Sequence, residues 1–244
     1  MRNEISFMQR SENVVKCHDC GLRRGCFPKH LSAPQIAALE GIIGDNHSYQ
    51  RGDFLYRGGD FLHKLIVVKS GSIKCGLLSE HGAEQIVGFH FAGDLLGLDY
   101  SSNRQTLTSA EALETTHICT IPYPSFVELG NQIPELHKEM VTRLSNEIAA
   151  SQQLMLSMNN HSAEQRVVIF LQDLANRQHN RGLSKEHLHL SMSRMDIANY
   201  LGLASATVSR IISKFEREGL LQVENRHLQL TNYQGLLNTV YACA

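Results

Sequence analysis

The sequence lacks tryptophan, has only five prolines and contains no long hydrophobic run. No segment approaches the ~18–20 consecutive apolar residues that a membrane-spanning helix needs. The first 16 residues are polar and have no apolar signal-peptide core. We therefore expect a cytoplasmic protein with no membrane association. Its 244 residues suffice for one or two domains.

Charge of neither sign is in clear excess. The chain carries 23 Lys and Arg against 24 Asp and Glu, a net charge of −1, which does not by itself suggest nucleic-acid binding. Residues 161–244 carry a net charge of +2, against −3 for residues 1–160. This asymmetry has the direction expected of a C-terminal DNA-binding domain, but it is too small to decide the function.

Motifs of common enzymes are also missing. We find no glycine-rich phosphate loop, no nucleophile elbow, no H-E-x-x-H and no paired-carboxylate motif. His90 and His117 fall in predicted strands, where a structural histidine is commoner than a catalytic one. We therefore do not expect an enzyme.

What the sequence does have is six cysteines, three of them in "CHDCGLRRGC" at Cys17, Cys20 and Cys26. In a reducing cytosol, clustered cysteines are more often metal ligands or redox groups than structural disulfides. The C-x2-C-x5-C spacing plus one distant cysteine supplies four thiolates, which suits zinc or a four-iron cluster. Zinc sites usually pair two short arms and the second arm is missing here, but spacing alone does not settle the choice. A thiol–disulfide switch also stays open.

A β-rich region follows a short predicted helix. "SAPQIAALEGII" predicts that helix, with Ser32 as N-cap, Pro34 in the first turn and Gly44 at its end. In residues 49–122, short runs rich in Val, Ile and Phe alternate with turn signals such as "RGGD" and "KSGS". This spacing predicts a small antiparallel barrel or sandwich.

A long helix is predicted next, from about Ile133 to Met158. Its seam positions are spaced alternately four and three residues apart, as in a coiled coil. Because the helix runs for about seven turns, this seam favours a partner helix, and we predict a homodimer. The predicted interface consists of His137, Val141, Leu144, Ile148, Ser151 and Met155.

The C-terminal part has the pattern of a winged helix-turn-helix. In "SRMDIANYLGLASATVSRIISKFEREG", Ser193 caps one helix, Gly202 breaks it and Gly219 ends a second, and "LLQVENRHLQLT" predicts a two-stranded wing. This arrangement lays the second helix in the major groove of double-stranded DNA. Arg210 suits a bidentate contact with guanine, and Lys214 suits a phosphate. The predicted DNA-contacting residues are Ser205, Ala206, Thr207, Ser209, Arg210 and Lys214.

These elements, in this order, resemble the cyclic-AMP receptor protein superfamily over nearly the whole chain. "CHDCGLRRGC", "EQIVGFHFAGDLLGLD", "SAEALETTHICTIP" and "MSRMDIANYLGLASATVSR" resemble its fumarate-and-nitrate-reduction-regulator (FNR) branch. The resemblance implies an α+β fold with an N-terminal antiparallel β-barrel of the cyclic-nucleotide-binding jelly-roll type. The expected domains are a cysteine-rich cluster-binding segment (1–31), the barrel sensor domain (32–130), the dimerisation helix (131–160) and the winged helix-turn-helix (161–244).

The resemblance also implies a cofactor. Cys119, in "HICTIP", matches the branch's fourth ligand, so Cys17, Cys20, Cys26 and Cys119 are expected to hold a [4Fe-4S] cluster. Cys75 is the competing position, because strand alternation could equally bury it as a small hydrophobe.

A mechanism follows from the same resemblance. The intact cluster would favour the dimer and its binding to a near-palindrome of the TTGAT-N4-ATCAA kind, and oxygen would reverse both. The regulated genes would be those of anaerobic metabolism, activated or repressed, and loops such as "SEHGAEQ" would contact RNA polymerase. The alternative is a regulator of the same architecture that uses its N-terminal cysteines as a thiol–disulfide or zinc switch. Cys243 is expected to be a free thiol.

Nucleotide-binding members of the superfamily hold the cyclic phosphate with an arginine followed by a small residue. Here Leu107 and Thr108 stand about where that pair would be, and no such pair follows the nearby Arg104. We therefore expect no cyclic nucleotide.

Three places depart from the branch's pattern. Ala206 replaces a usual glutamate, which predicts weaker discrimination at one G·C pair. Ser151 replaces an acidic residue found in some relatives, which predicts easier dimerisation of the cluster-free form. Gly25 replaces a bulky apolar residue beside Cys26, with Arg23 and Arg24 preceding it. Gly25, Arg23 and Arg24 either belong to a solvated loop or alter the oxygen sensitivity of the cluster.

Overall fold

The computed structural model describes Cys17, Cys20, Cys26 and residues 31–44, 46–79, 81–99 and 105–241. The first half contains α1 (Ala33–Glu40), β1 (Asn46–Tyr49), β2 (Phe54–Tyr56), β3 (Lys64–Ser70), β4 (Ser72–Leu78), β5 (Glu84–Phe91), β6 (Leu95–Leu96), β7 (Ser109–Ala112) and β8 (Thr116–Pro122). The second half contains α2 (Tyr123–Gln132), α3 (Pro134–Asn160), α4 (Ala163–His179), β9 (His187–His189), α5 (Arg194–Leu201), α6 (Ser205–Arg217), β10 (Gln222–Glu224), β11 (His227–Gln229) and α7 (Tyr233–Tyr241).

Two four-stranded antiparallel sheets form the β domain. One has the strand order β1-β8-β3-β6, and the other has the order β2-β7-β4-β5. Among the described strands no pairing joins the two sheets, so the domain is a jelly-roll sandwich rather than a closed barrel. The predicted β region began at residue 49, but the first strand begins at Asn46 because Asn46–Tyr49 pair with the last strand, β8.

The sheet that contains β8 has apolar side chains on both faces, because it is covered on both sides. Strand alternation places Ile118 toward the second sheet and Cys119 and Ile121 away from it. The outward face is covered by α1, α2 and the start of α3. We call the apolar group on this face the outer cluster, and it consists of Leu39, Leu65, Val67, Leu95, Ile121, Phe126, Leu129, Ile133 and Leu136.

Helix α1 begins as predicted and ends earlier than predicted. Ser32 is its N-cap, and the Ser32 N–H donates to Gln35 Oε1 at 2.8 Å. The C-cap is Gly41 rather than Gly44. Gly44 has a different role, because a Cβ there would lie 2.9 Å from Thr120 Oγ1 on β8. Glycine therefore lets this loop approach the strand that carries Cys119.

Helix α3 spans 27 residues, of which only Leu136 and Ser157 are buried. It extends slightly beyond the predicted Ile133–Met158 range at its C-terminal end. No helix among the described residues is long and apolar enough to cross a membrane.

The C-terminal domain packs against the β4–β5 hairpin. Ile86 and Phe89 of β5 belong to one buried cluster with Phe170 of α4 and Ile197 of α5. Helix α5 begins at the predicted cap, Ser193, and helix α4 is capped by Ser162. The wing has three strands, in the order β10-β11-β9, rather than the predicted two. Strand β9 and helix α7 were not predicted.

Candidate nucleic-acid interface and cysteine site

Helices α5 and α6 form the helix-turn-helix. The Ser193 side chain accepts a hydrogen bond from the Asp196 N–H, and the Ser193 N–H donates to Asp196 Oδ2 at 2.8 Å. Gly202 then adopts a left-handed conformation with φ 63°, which ends α5 and turns the chain toward α6. The buried side of α6 consists of Val208, Ile211, Ile212 and Phe215.

The opposite side of α6 is exposed at its N-terminal end. Thr207 is half-buried there, and the exposed candidates for DNA contact are Ser205, Ala206, Ser209 and Arg210. Lys214 lies about one turn further on, and its Nζ is 2.8 Å from Glu164 Oε1 of α4. This ion pair engages the Lys214 ammonium within the chain. The exposed N-terminal side of α6 is a helical surface that the major groove of DNA can admit.

Arg166 joins the long helix to the helix-turn-helix, a role that its sequence context did not reveal. Its Nε donates to the His161 carbonyl at 3.0 Å, and its Nη1 donates to the Leu201 carbonyl at 3.2 Å. A third bond goes from Nη2 to the Met158 carbonyl. One guanidinium therefore satisfies carbonyls at the C-terminal ends of both α3 and α5.

The cysteine site lies on the outward face of the β8 sheet. Cys119 on β8 and Cys26 both pack against the outer cluster. The Cys20 N–H donates to the Cys17 carbonyl at 3.2 Å, which makes a tight turn of the first pair. The five described cysteines are free thiols.

Burial and the charges of neighbouring groups raise the pKa values of three of these thiols. Burial raises the pKa of Cys26 to about 12, and the other three thiols add to the shift, Cys119 the most. Burial likewise raises the pKa of Cys17 to about 11, with contributions from Glu40 and Cys119. The pKa of Cys119 is raised by burial, although the Lys69 ammonium opposes the shift. The fold thus brings Cys26 and Cys119, far apart in the sequence, to one apolar cluster.

Among the described residues no group of three or more histidine, cysteine or acidic side chains already has the arrangement of a metal site. The four thiols act on one another electrostatically, but they are not preassembled around one point. Cys75 lies elsewhere: it is 5% exposed in the core between the sheets, and burial raises its pKa to about 12. Gly25, Arg23, Arg24, Arg104 and Cys243 lie outside the described residues.

The predicted dimer seam forms an exposed stripe along α3. All six seam residues are exposed, and Val141, Ile148 and Met155 have exposed fractions of 62%, 60% and 58%. His137 differs from the others, because its ring lies against Gly130 of α2. A single helix that presents such a stripe to solvent has an unburied apolar surface that a partner could cover.

A cavity of about 840 Å³ lies between the β domain and α3. Leu107 and Thr108 line it, and Thr108 donates through both its N–H and its hydroxyl to Asp99 Oδ2. A carboxylate is therefore held beside the position where a nucleotide-binding relative would offer an arginine to the cyclic phosphate.

The fold and the exposed recognition helix define a regulator that binds DNA through a helix-turn-helix, and comparisons with known proteins agree. Residues 165–239 match the family model of the Crp-like helix-turn-helix domain, and residues 46–132 match that of the Cyclic nucleotide-binding domain. The solved structure of FixK2 from Bradyrhizobium japonicum superposes with a TM-score of 0.72 at 27% identity, covering 79% of this chain and 95% of that one. The predicted fold class is confirmed.

Two curated relatives cover almost the entire chain. Electron transport regulator A of Shewanella oneidensis is 37% identical over 223 residues, 91% of this chain and 89% of that protein. The Fumarate and nitrate reduction regulatory protein of Yersinia pestis is 35% identical over 232 residues, 95% of this chain and 93% of that protein. The chain belongs to the FNR branch of the Crp-like transcription regulators.

Proposed function

We propose that this protein is an oxygen-responsive transcription regulator that binds DNA as a homodimer when Cys17, Cys20, Cys26 and Cys119 hold a [4Fe-4S] cluster. The observation that carries the proposal is that Cys26 and Cys119 pack against the same outer cluster, where Cys119, Cys20 and Cys17 all raise the pKa of Cys26. The genes it regulates would be those of anaerobic metabolism. Contact of the "SEHGAEQ" loop with RNA polymerase is part of the proposal and rests on the resemblance alone.

The donor set fits such a cluster. Four cysteine thiolates are the ligand set of a [4Fe-4S] centre, and the outer cluster supplies an apolar wall that limits the access of solvent. Since the free thiols of Cys17 and Cys26 have raised pKa values, metal binding has to displace their protons. When bound, the cluster would supply a centre that oxygen degrades.

The outer cluster connects the cysteines to the dimer helix. Ile133 and Leu136, at the start of α3, are buried in the same cluster against which Cys26 and Cys119 pack. Arg143 of α3 also acts on Cys26, because its charge lowers the pKa of that thiol. A cluster bound by all four cysteines would tie the N-terminal segment to β8. Because Cys26 and Cys119 pack against the outer cluster, this tie would also restrain the start of α3. A tenfold change in dimer affinity needs only ~1.4 kcal/mol from this contact.

The dimer would place two copies of α6 about one helical turn of DNA apart, in successive major grooves. The expected target is therefore a near-palindrome of the FNR-box kind. Ser205, Ala206, Thr207, Ser209, Arg210 and Lys214 are the proposed contacts, of which Lys214 would have to exchange its bond with Glu164 for one with a phosphate.

We also propose that the cavity between the β domain and α3 binds no cyclic nucleotide. The match to the Cyclic nucleotide-binding domain shows the fold of residues 46–132. Leu107 offers no positive charge to a phosphate, and Asp99 would repel one. The three arginines that line the cavity are already beside the carboxylate of Asp94; they are Arg143, Arg177 and Arg181.

The proposal is tested by an absorption spectrum of anaerobically purified protein, together with its iron and sulfide content. Wild type should be brown and contain four irons per chain, and Cys119→Ala should lose both colour and iron. The matched control is Cys75→Ala, which should keep the cluster because Cys75 lies in the separate inner core. A colourless wild type that contains zinc or an N-terminal disulfide would favour the alternative switch instead.

A further inference from the structure

Asn46 has a buried side-chain amide without a partner. Both Oδ1 and Nδ2 are shielded from solvent, and neither makes a hydrogen bond within the described part of the chain. Leaving a buried amide unpaired is costly, and such groups are nearly always bonded in native proteins. The amide therefore indicates a partner that the described residues do not supply.

The strand register places this amide beside the cysteine site. Asn46 on β1 is the direct partner of Cys119 on β8. Residues directly opposite each other in an antiparallel pair point to the same face, with Cβ atoms ~4.5–5.5 Å apart. Since Cys119 faces the outer cluster, Asn46 faces it as well.

The chemistry of the two side chains indicates which form of Cys119 would make the better partner for this amide. Nδ2 carries two N–H donors, whereas a protonated thiol is only a weak acceptor. A thiolate is a charged acceptor and forms a stronger bond with an N–H donor. The missing partner of Asn46 would therefore appear when Cys119 becomes a metal-bound thiolate.

We propose that Asn46 is a positioning residue for the Cys119 thiolate, donating an N–H···S hydrogen bond from Nδ2 to Sγ of Cys119 when that sulfur holds the cluster. The inference rests on the proposed function. A donor to sulfur stabilises the more negative, reduced state, so Asn46 raises the reduction potential of the site.

The test compares reduction potentials of the anaerobic, cluster-loaded full chain. Asn46→Leu should lower the ratio of reduced to oxidised cluster about tenfold at a fixed electrode potential, which is ~59 mV for one electron. Asn46→Gln keeps an NH2 donor and should restore part of the shift. The matched control is Ser48→Ala, because Ser48 lies on the same face of β1 two residues along, opposite His117, and is exposed. Asn46→Ala replaces the leucine variant if that variant does not fold.

A second readout uses the iron-free protein. Removing an unpaired buried amide should raise the thermal stability of the iron-free chain, whereas the same change should lower or leave unchanged that of the loaded chain. A loaded Asn46→Leu protein with the wild-type potential would overturn this inference alone. A wild type that binds no cluster would overturn the proposed function, and this inference with it.

Discussion

At the scale of single residues, Ala206 limits how the recognition helix can read DNA. It is exposed at the N-terminal end of α6, and its carbonyl accepts a hydrogen bond from Arg210 Nε at 3.3 Å. Its methyl group can touch a thymine methyl, but it cannot accept a proton from cytosine N4. We therefore expect weaker discrimination at one G·C pair of the half-site.

Ala206→Glu should strengthen that discrimination. The new carboxylate can accept from cytosine N4, which is worth ~1–3 kcal/mol of discrimination, or roughly five- to 150-fold between G·C and A·T at one half-site position. Competition binding with half-site variants at one fixed salt concentration measures the preference. The matched control is Ser213→Glu, which adds the same charge on an exposed position further along α6 and should weaken all sites alike. Equal preferences in the two variants would contradict the assignment.

At the scale of elements, the exposed stripe of α3 is the strongest sign of a partner helix. Ile148→Glu should break the dimer, since two copies each lose ~1.5–3 kcal/mol of apolar burial. The dimer dissociation constant should rise at least about 100-fold. Folding should survive, because Ile148 is 60% exposed within the chain. Sedimentation of the loaded protein measures the effect.

The control for that experiment is Gln153→Glu. Gln153 is also exposed, but it lies off the seam on the same helix, so it should leave the dimer intact. A dimeric Ile148→Glu protein, or a monomeric Gln153→Glu protein, would show that the stripe is not the interface.

The same elements show what the sequence could and could not predict. Helices α3, α5 and α6 were predictable because caps and apolar spacing are local signals, as at Ser193 and Gly202. Strand β1 was not predictable, because its residues show no alternation between buried and exposed positions. The strand is defined only by its pairing with β8. The cysteine spacing left the fourth ligand open, since only the tertiary fold brings Cys119 near Cys26 and places Cys75 in the other core. For the same reason no sequence pattern pointed to Asn46.

At the scale of the whole molecule, Asn199 of α5 joins the DNA-binding domain to the edge of the β domain. Strand β5 is the last strand of its sheet, so its outer backbone groups need partners from elsewhere. Asn199 Oδ1 accepts from the Ile86 N–H at 2.6 Å, and Asn199 Nδ2 donates to the Glu84 carbonyl at 2.8 Å. This side-chain amide thus takes the place of a neighbouring strand. We therefore expect this contact to help fix the orientation of the DNA-binding domain relative to the β domain.

Asn199→Ala should therefore loosen the docking of the two domains without unfolding either. The variant removes two hydrogen bonds, each worth ~0.5–1.5 kcal/mol. Amide hydrogen exchange in residues 84–90 and in α5 should accelerate about tenfold or more, while exchange in the paired strands β3 and β8 stays unchanged. The matched control is Asn238→Ala. Asn238 is an exposed residue of α7 whose side chain bonds only to Gln234 among the described residues, so this change should leave all exchange rates unchanged. Unaltered exchange in residues 84–90 of Asn199→Ala would show that the other contacts between the domains, such as Phe89 with Phe170 and Lys74 with Asp196, hold them together without this amide.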